Sequence, residues 1–326
     1  MKASIGAPYA RIVSVGSRKA SRIVTNAEMC TMIDSSDEWI QQRTGITERR
    51  WVAEGETLEV LATDAARIAV ERSGIEPNRI GAVILASVSH HLPTPGLAPR
   101  LATAVGAPQA AAYDISAACA GFCYGLTQAD ALIRVGAAEY VLVIGAEVLS
   151  EITDTSDRST AFLFGDGAGA VVVGPSDEPA IGPAVWGGEG ENWDTINMTA
   201  PWPQAGGVTP AITMDGRTVF KWATTAIAAK ALEALDKAGV SPEELDVFIP
   251  HQANNRITDS MLRHLHLPEK VVVARDIMDT GNTSAASVPL AMDRLLSSGQ
   301  AQSGQTALVI GFGAGLVYAG QVVTLP

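Results

Sequence analysis

The chain predicts an α/β protein assembled from two related halves. Three observations carry this: apolar runs without polar alternation, amphipathic helical stretches between them, and the return of one pattern about 165 residues later. Residues 57–73, TLEVLATDAARIAVERS, place Leu58, Leu61, Ala65 and Ile68 at spacings of three and four, one apolar helical stripe. Gly74 suits the C-cap, Pro77 keeps the helix from resuming, and GAVILAS then reads as a short buried parallel strand. The pattern recurs as an Ala-rich helix from about Phe220 to Ala238, then Gly239, Pro242 and the strand-like DVFIP.

Gly74 to Gly239, Pro77 to Pro242 and Ile80 to Leu245 are each 165 positions apart. VLVIG at Val141 to Gly145 returns as ALVIG at Ala307 to Gly311, offset by 166. So regular an echo signals a duplication. Two stacked α/β halves related by a pseudo-two-fold axis are expected, residues 1–175 and 176–326. Residues 187–213 lack periodicity and are rich in Gly, Pro and Trp, so a long loop is expected there.

The 326 residues suffice for about two domains, and 47% hydrophobic content can bury a large core. Lys and Arg total 23 against 35 Asp and Glu, a net charge of −12 that repels phosphate backbones and anionic lipid. Nucleic acid is thereby excluded as a partner. Three cysteines, Cys30, Cys119 and Cys123, are too few for a disulfide framework or a four-ligand zinc site, and they suit a reducing compartment. No apolar segment follows Lys2 as in a secretion signal, and no apolar run nears the roughly 18 residues of a membrane span. A cytoplasmic protein without membrane contact is expected.

The 165-residue offset carries Asp114 onto Asp279 and Cys119 onto Ser284, so DISAAC and DTGNTS occupy equivalent turns, each leading into a helix. His251 ends DVFIP, and ligands of α/β sheets bind beyond strand carboxyl ends. Cys119 opens a helical stretch, where the positive end of the helix dipole favours loss of the thiol proton. Singly, each candidate has an ordinary reading: a small core residue for Cys119, a hydrogen-bonded structural group for His251, a turn or cap for Asn282. Together they supply a nucleophile and two hydrogen-bond donors, as acyl transfer through a thioester requires.

GFGAGL follows an apolar strand, but the third glycine of a dinucleotide fingerprint would fall at Leu316. A tight turn, or backbone amides facing an oxyanion, fits better. FGDGAGA lacks the Lys-Ser/Thr pair of a phosphate loop, and its glycines are expected to pack turns between strands. His90, His91, His264 and His266 lack the partner ligands of a metal site, so no metal is expected.

SSDEWIQQRTGI, DISAACAGF, FGDGAGA, PHQANNRI and GNTSAASVP resemble signature segments of β-ketoacyl-acyl-carrier-protein synthase III, in the thiolase superfamily. The resemblance runs from about Ile12 to the C-terminus and is strongest to actinomycete members, including those that prime aromatic polyketides. It implies a thiolase-like fold with stacked mixed sheets in a layered α-β-α-β-α arrangement.

The resemblance also implies decarboxylative Claisen condensation without a cofactor, initiating fatty acid or aromatic polyketide synthesis. Acyl-CoA acylates Cys119, with the backbone amides of Cys119 and Ala314 as oxyanion hole. Malonyl carrier protein then enters, and His251 and Asn282 stabilise its enolate. Trp39 and Arg158 would sandwich the CoA adenine, with Arg43 and Asn254 assisting. Lys221, Arg256 and Arg263 would receive the acidic carrier protein, His264 standing where some members have another Lys. Thr94 stands where some members close the acyl pocket with an aromatic. A homodimer is implied.

Two alternatives start from the same residues. A Cys/His/Asn thioester hydrolase or acyltransferase would share the triad, but the C-G-S-C-W signature of papain-like enzymes is missing. A catalytically silent acyl-binding homologue would not require all three polar residues.

Overall fold

The computed structural model describes residues 4–92, 94–201 and 210–326. The chain opens with β1 (Tyr9–Lys19). A small ladder of β2 (Arg22–Thr25) and β3 (Glu48–Trp51) encloses the short helices α1 (Asn26–Met29) and α2 (Asp37–Thr44). α3 (Leu58–Ser73), β4 (Ile80–Ala86), α4 (Ala98–Ala104), β5 (Ala111–Ile115), α5 (Gly121–Arg134), β6 (Tyr140–Val148) and β7 (Asp166–Ser176) follow. Next come β8 (Val185–Gly188), β9 (Ile196–Met198), β10 (Ile212–Met214), α6 (Gly216–Trp222), α7 (Ala228–Ala238), β11 (Val247–Pro250) and α8 (Asn255–Leu265). β12 (Val272–Val273), α9 (Ile277–Thr280), α10 (Ser287–Ser297), β13 (Thr306–Gly313) and β14 (Val317–Thr324) complete the chain.

Two five-stranded sheets result, ordered β1-β7-β6-β4-β5 and β8-β14-β13-β11-β12. The orders correspond strand for strand. In each sheet the three strands at one side run parallel and the other two antiparallel. Both sheets are therefore mixed, not wholly parallel as the apolar runs alone suggest.

Strand alternation explains why those runs have no polar face. In β4, Ile84 packs into the central core with Phe122 and Leu126 of α5, Val288 and Met292 of α10, and Ile249 and Val309 of the second sheet. Its neighbours Val83 and Leu85 face the other way, onto Leu61 and Ala65 of α3. Phe248 and Leu308 of the second sheet likewise meet Ala231 and Leu235 of α7 and Met261 of α8. α5 and α10 thus form the middle of five layers, α-β-α-β-α, with both faces of both sheets buried.

Both predicted helices end on left-handed glycines, Gly74 (φ 66°) and Gly239 (φ 67°). The second is longer than expected: α6 and α7 are joined through a π-helical stretch at Ala223–Ile227. Within the expected 187–213 loop, β9 and β10 form a hairpin ladder, while residues 202–209 lie outside the described residues. The FGDGAGA glycines lie largely inside β7, where Gly169 admits Pro289 of α10, so they pack a strand against a helix and not a turn. GFGAGL ends β13 and turns tightly into β14.

The duplication holds, but its offset changes before the reactive turns. Ala118–Ala120 and Ser284–Ala286 are matching 3-10 turns, each entered through a left-handed non-glycine residue, Ala118 (φ 45°) and Ser284 (φ 47°). The equivalence is 166 residues, so Cys119 corresponds to Ala285 and not to Ser284. Helices α3/α7 and strands β4/β11 keep the 165 offset, and the extra residue enters between those strands and the turns.

The turns meet across the pseudo-axis through two equivalent glycines. A Cβ on Gly145 of β6 would lie 2.2 Å from the Ala285 carbonyl oxygen, and one on Gly311 of β13 would lie 2.7 Å from that of Cys119. Each half's glycine admits the other half's turn. Two residues past Gly145, Glu147 points to the same face and is fully buried. Burial pushes its carboxyl up to about 7, against the hydrogen bonds from Ser89, Val88, Ser284 and Ser87. No helix among the described residues is long and apolar enough to cross a membrane.

Two predictions follow from β6. Gly145→Ala drives a methyl into the Ala285 carbonyl and should destabilise the fold by about 1–3 kcal/mol, read as a lower Tm in a thermal scan. Glu147 has a folded pKa of about 7 against its usual 4.5. Its contribution to stability is therefore full below pH 4.5 and is lost as pH rises through 7, a swing of about 3 kcal/mol. Glu147→Gln should lose this pH dependence and become the more stable protein at pH 8. Denaturant titrations of both proteins at pH 5 and pH 8 check this; a wild-type advantage that grows with pH would refute it.

Candidate active site

β5 ends at Ile115, and the chain reaches α5 through the Ala118–Ala120 turn, with Cys119 at its centre. The left-handed conformation of Ala118 costs about 1 kcal/mol or more and sets the turn that carries Cys119 at the carboxyl edge of the sheet. β13 passes so close that a Cβ on Gly313 would lie 2.9 Å from the Cys119 Sγ. Glycine there lets the Gly313–Ala314 backbone cover the thiol.

Cys119 keeps part of its surface open, and that surface lines a deep cavity. Burial pushes the thiol up to about 12, opposed by the Ser284 hydroxyl and reinforced by the Glu147 charge. The expectation of an easily ionised thiol is thus not met. A helix terminus contributes at most about 2 kcal/mol, and desolvation at this depth outweighs it.

His251 follows β11 and is buried, its ring edge-on to Phe312 at 5.3 Å between centroids. Burial lowers its pKa to about 3, so the imidazole is neutral at physiological pH. Nδ1 lies 2.7 Å from Ser287 Oγ, and that oxygen accepts the Gln252 N–H at 3.3 Å. When the serine hydroxyl donates to Nδ1, the ring proton sits on Nε2; when Nδ1 carries the proton, the same oxygen accepts it.

Asn282 is held by its backbone: its N–H donates to Leu163 O at 2.8 Å and its carbonyl accepts from Gly165 N–H at 2.9 Å. Its Oδ1 accepts the Ser284 N–H at 2.9 Å, which leaves the carboxamide NH2 to donate. Gly165 is required at this crossing, since a Cβ would sit 1.9 Å from the Thr280 carbonyl oxygen.

Cys119, His251, Asn282 and Ala314 line one cavity of about 1150 Å3. Its walls are apolar: Val88, Leu149, Ile152 and Phe162 from the first half, and Ile196, Met198, Ile212 and Met214 from the β9–β10 hairpin. Asp215, the carboxylate among the lining residues, is occupied as the N-cap of α6.

The mouth is aromatic and basic. The guanidinium carbons of Arg158 and Arg43 lie 5.2 and 5.5 Å from the Trp39 ring centroid, and Phe162 meets that ring edge-on at 5.3 Å. Asn254 caps α8, and its Nδ2 donates to the Arg43 carbonyl at 3.0 Å. Arg256 covers the Phe220 ring at 5.4 Å. Lys221 and Arg263 are exposed on α6 and α8 and do not line the cavity.

Sequence reasoning brought Cys119, His251, Asn282, Ala314, Trp39, Arg43, Arg158, Asn254 and Arg256 to one cavity. Thr94, like Lys221 and Arg263, is not among them: it is exposed and does not line the cavity of the single chain, because the turn that carries it lies on the surface ahead of α4. Missed residues include Arg217 at the mouth and the four apolar residues of the hairpin. The matched triplets INM and ITM were their one sequence signal, too short to stand out as strands.

Comparison with known proteins places this geometry in a family. Residues 113–190 match the family model for 3-oxoacyl-[acyl-carrier-protein (ACP)] synthase III, and residues 235–325 match that for its C-terminal part. The β-ketoacyl-[acyl-carrier-protein] synthase III of Streptomyces glaucescens is 58% identical over 330 residues, covering 100% of this chain and 99% of the relative. A synthase III of Streptomyces coelicolor is 57% identical over 340 residues, with 100% and 99% covered.

Among solved structures, a priming β-ketosynthase from a polyketide biosynthetic pathway superposes with a TM-score of 0.96 at 46% identity, covering 99% of this chain and 98% of the other. The 3-oxoacyl-[acyl-carrier-protein] synthase III of Aquifex aeolicus superposes with a TM-score of 0.90 at 39% identity, covering 97% and 99%. Likeness of this extent, along the whole chain and through the cavity, has one reading: the chain belongs to the β-ketoacyl-acyl-carrier-protein synthase III family, thiolase-like condensing acyltransferases that initiate fatty acid or polyketide synthesis.

Proposed function

We propose that Cys119 carries the acyl starter between two steps catalysed in the one cavity. In the first, its sulfur attacks the thioester carbonyl of an acyl-CoA, the oxyanion rests against the N–H groups of Cys119 and Ala314, and CoA leaves. In the second, malonyl carrier protein enters with its thioester oxygen toward His251 Nε2–H and Asn282 Nδ2–H. Carbon dioxide departs, the enolate oxygen is held by both donors, and the enolate carbon attacks the acyl group to release Cys119.

The observation that carries this reading is a neutral imidazole and a carboxamide facing the same cavity as the thiol. Two neutral donors facing one apolar-walled cavity stabilise a developing oxyanion, and burial makes the imidazole a weak base for activating water. This favours condensation over hydrolysis.

Trp39 and Arg158 would open to take the CoA adenine between them, with Arg43 and Asn254 near the nucleotide and pantetheine. Lys221, Arg256 and Arg263 flank the mouth and would receive an acidic carrier protein despite the chain's net charge of −12. The apolar walls suit an aliphatic starter whose length is limited by the β9–β10 hairpin. Thr94 has no part in that limit within one chain.

Three further readings belong to the same proposal. The halves divide at residues 1–175 and 176–326. Two copies pair as a homodimer through β5, the outermost strand of its sheet, where Ala111 and Tyr113 are exposed. The free thiols suit the cytoplasm.

Intact-protein mass spectrometry after incubation with an aliphatic acyl-CoA should show one added acyl group on the wild type and none on Cys119→Ala. Acylation of the variant would overturn the nucleophile. Asn282→Ala should still be acylated, yet lose about 10²–10³-fold in condensation with malonyl carrier protein; unchanged condensation would remove it from the enolate site. Sedimentation at micromolar concentration should give twice the chain mass, and a monomer would refute the pairing.

A further inference from the structure

FGDGAGA carries a charge that strand packing does not explain. Its glycines and the valines that follow them in β7 are buried and apolar, yet Asp166 opens the same strand at 0% exposure. No ion pair reaches its carboxylate among the described residues. A buried carboxylate without a counter-ion is unfavourable for stability, and such groups concentrate at functional sites.

Donors from two distant segments saturate Asp166 instead. Oδ1 accepts the Ser150 N–H at 2.9 Å, and Oδ2 accepts the Val52 N–H at 2.8 Å and the Ser150 hydroxyl at 2.6 Å. Each carboxylate oxygen thus receives one backbone N–H. A carboxamide cannot reproduce this, because its NH2 would face one of those two N–H groups. Burial pushes the Asp166 carboxyl up to about 6 against these hydrogen bonds, so the carboxylate is the main form at pH 7.5.

The residues just before Asp166 hold Asn282. Trp51 Nε1–H donates to the Phe164 carbonyl at 3.1 Å, next to the Val52 bond to Asp166. The Leu163 carbonyl and the Gly165 N–H then grip the Asn282 backbone from both sides, at 2.8 and 2.9 Å. This crossing has no slack: a Cβ on Gly281 would lie 3.0 Å from the Leu163 carbonyl oxygen, and one on Gly165 lies closer still to Thr280. The Asn282 side chain adds one bond, from the Ser284 N–H at 2.9 Å. Cys119 is placed without these residues, since its turn rests on Gly311 and Gly313 of β13.

We infer that Asp166 is a positioning residue for condensation: it ties residues 163–166 to the chain after β3 and after β6, and so fixes the Asn282 carboxamide at the enolate site. Asp166 does not line the cavity and acts through Asn282. The inference rests on the reading of Asn282 as an enolate donor, and the test separates the two.

Two steps are timed on the full chain by intact-protein mass spectrometry: gain of the acyl group from butyryl-CoA, and its transfer from the butyrylated protein to added malonyl carrier protein. Asp166→Asn should slow the second step by about 10-fold or more and the first by about 3-fold at most. Ser150→Ala, which removes one of the three bonds, should slow the second step by about 3-fold. If Asp166 acts through Asn282, the double variant Asp166→Asn/Asn282→Ala should condense as slowly as Asn282→Ala and no slower. Equal slowing of both steps, an unchanged second step, or losses that multiply in the double variant would each overturn the positioning role. An Asn282→Ala protein that condenses normally would remove the enolate reading, and this role with it. Should Asp166→Asn fold poorly, Ser150→Ala and its double variant with Asn282→Ala decide in the same two assays.

Discussion

Contact between the Ala118–Ala120 and Ser284–Ala286 turns, one from each half, is the constraint on which the remainder depends. β6 and β13 are the central strands of their sheets, and each bears a glycine where the opposite half's turn arrives, Gly145 under Ala285 and Gly311 under Cys119. With any side chain at these positions the halves would stand apart by a methyl group or more, and α5 and α10 could not share one central layer. The Cys119 thiol comes from sequence more than a hundred residues away from the His251 imidazole and the Asn282 carboxamide. They meet because the sheets are allowed to approach this closely.

The same closeness sets the electrostatics. Enclosure raises the Cys119 thiol to about 12, raises Glu147 to about 7 and lowers His251 to about 3, each shift favouring the neutral form. A chamber that suppresses resident charge suits chemistry whose charge is transient: an oxyanion on one thioester, then an enolate on another. Neutral N–H donors held in fixed geometry act on such charge without the screening that water would impose. At the mouth the lining carries charge instead, as arginines around Trp39.

Much of this was legible in the sequence because the duplication is written in local signals. Helix stripes, left-handed glycines and apolar strands each depend on a few neighbouring residues, so the echo of Gly74 at Gly239 survives without knowledge of the fold. The one-residue slip was not legible where it mattered. The 165 offset measured upstream pointed Cys119 at Ser284, and only the paired left-handed residues at 118 and 284 reveal Ala285 as its equivalent. The thiol's charge state was misread for a related reason: a helix terminus is visible in a sequence, whereas the depth of the surrounding protein is a property of the packed layers. β9 and β10 escaped because three-residue strands carry too little pattern, although their side chains form a wall of the chamber.

The corrected equivalence also shows how the halves diverged. Position by position, Ala118, Cys119 and Gly121 stand against Ser284, Ala285 and Ser287. The first turn holds the Cys119 thiol among small apolar residues, and the second has no thiol but two hydroxyls. Ser287 Oγ meets His251 Nδ1, and the Ser284 N–H donates to Asn282 Oδ1. The second turn therefore supplies the orientation that the first turn's chemistry needs, and it reaches that chemistry only through the passage left open by Gly145. Two equal turns of the first kind meeting at this contact would place two thiols back to back. Dividing the roles, sulfur on one side and oriented polar groups on the other, resolves that conflict without altering the packing that joins the sheets.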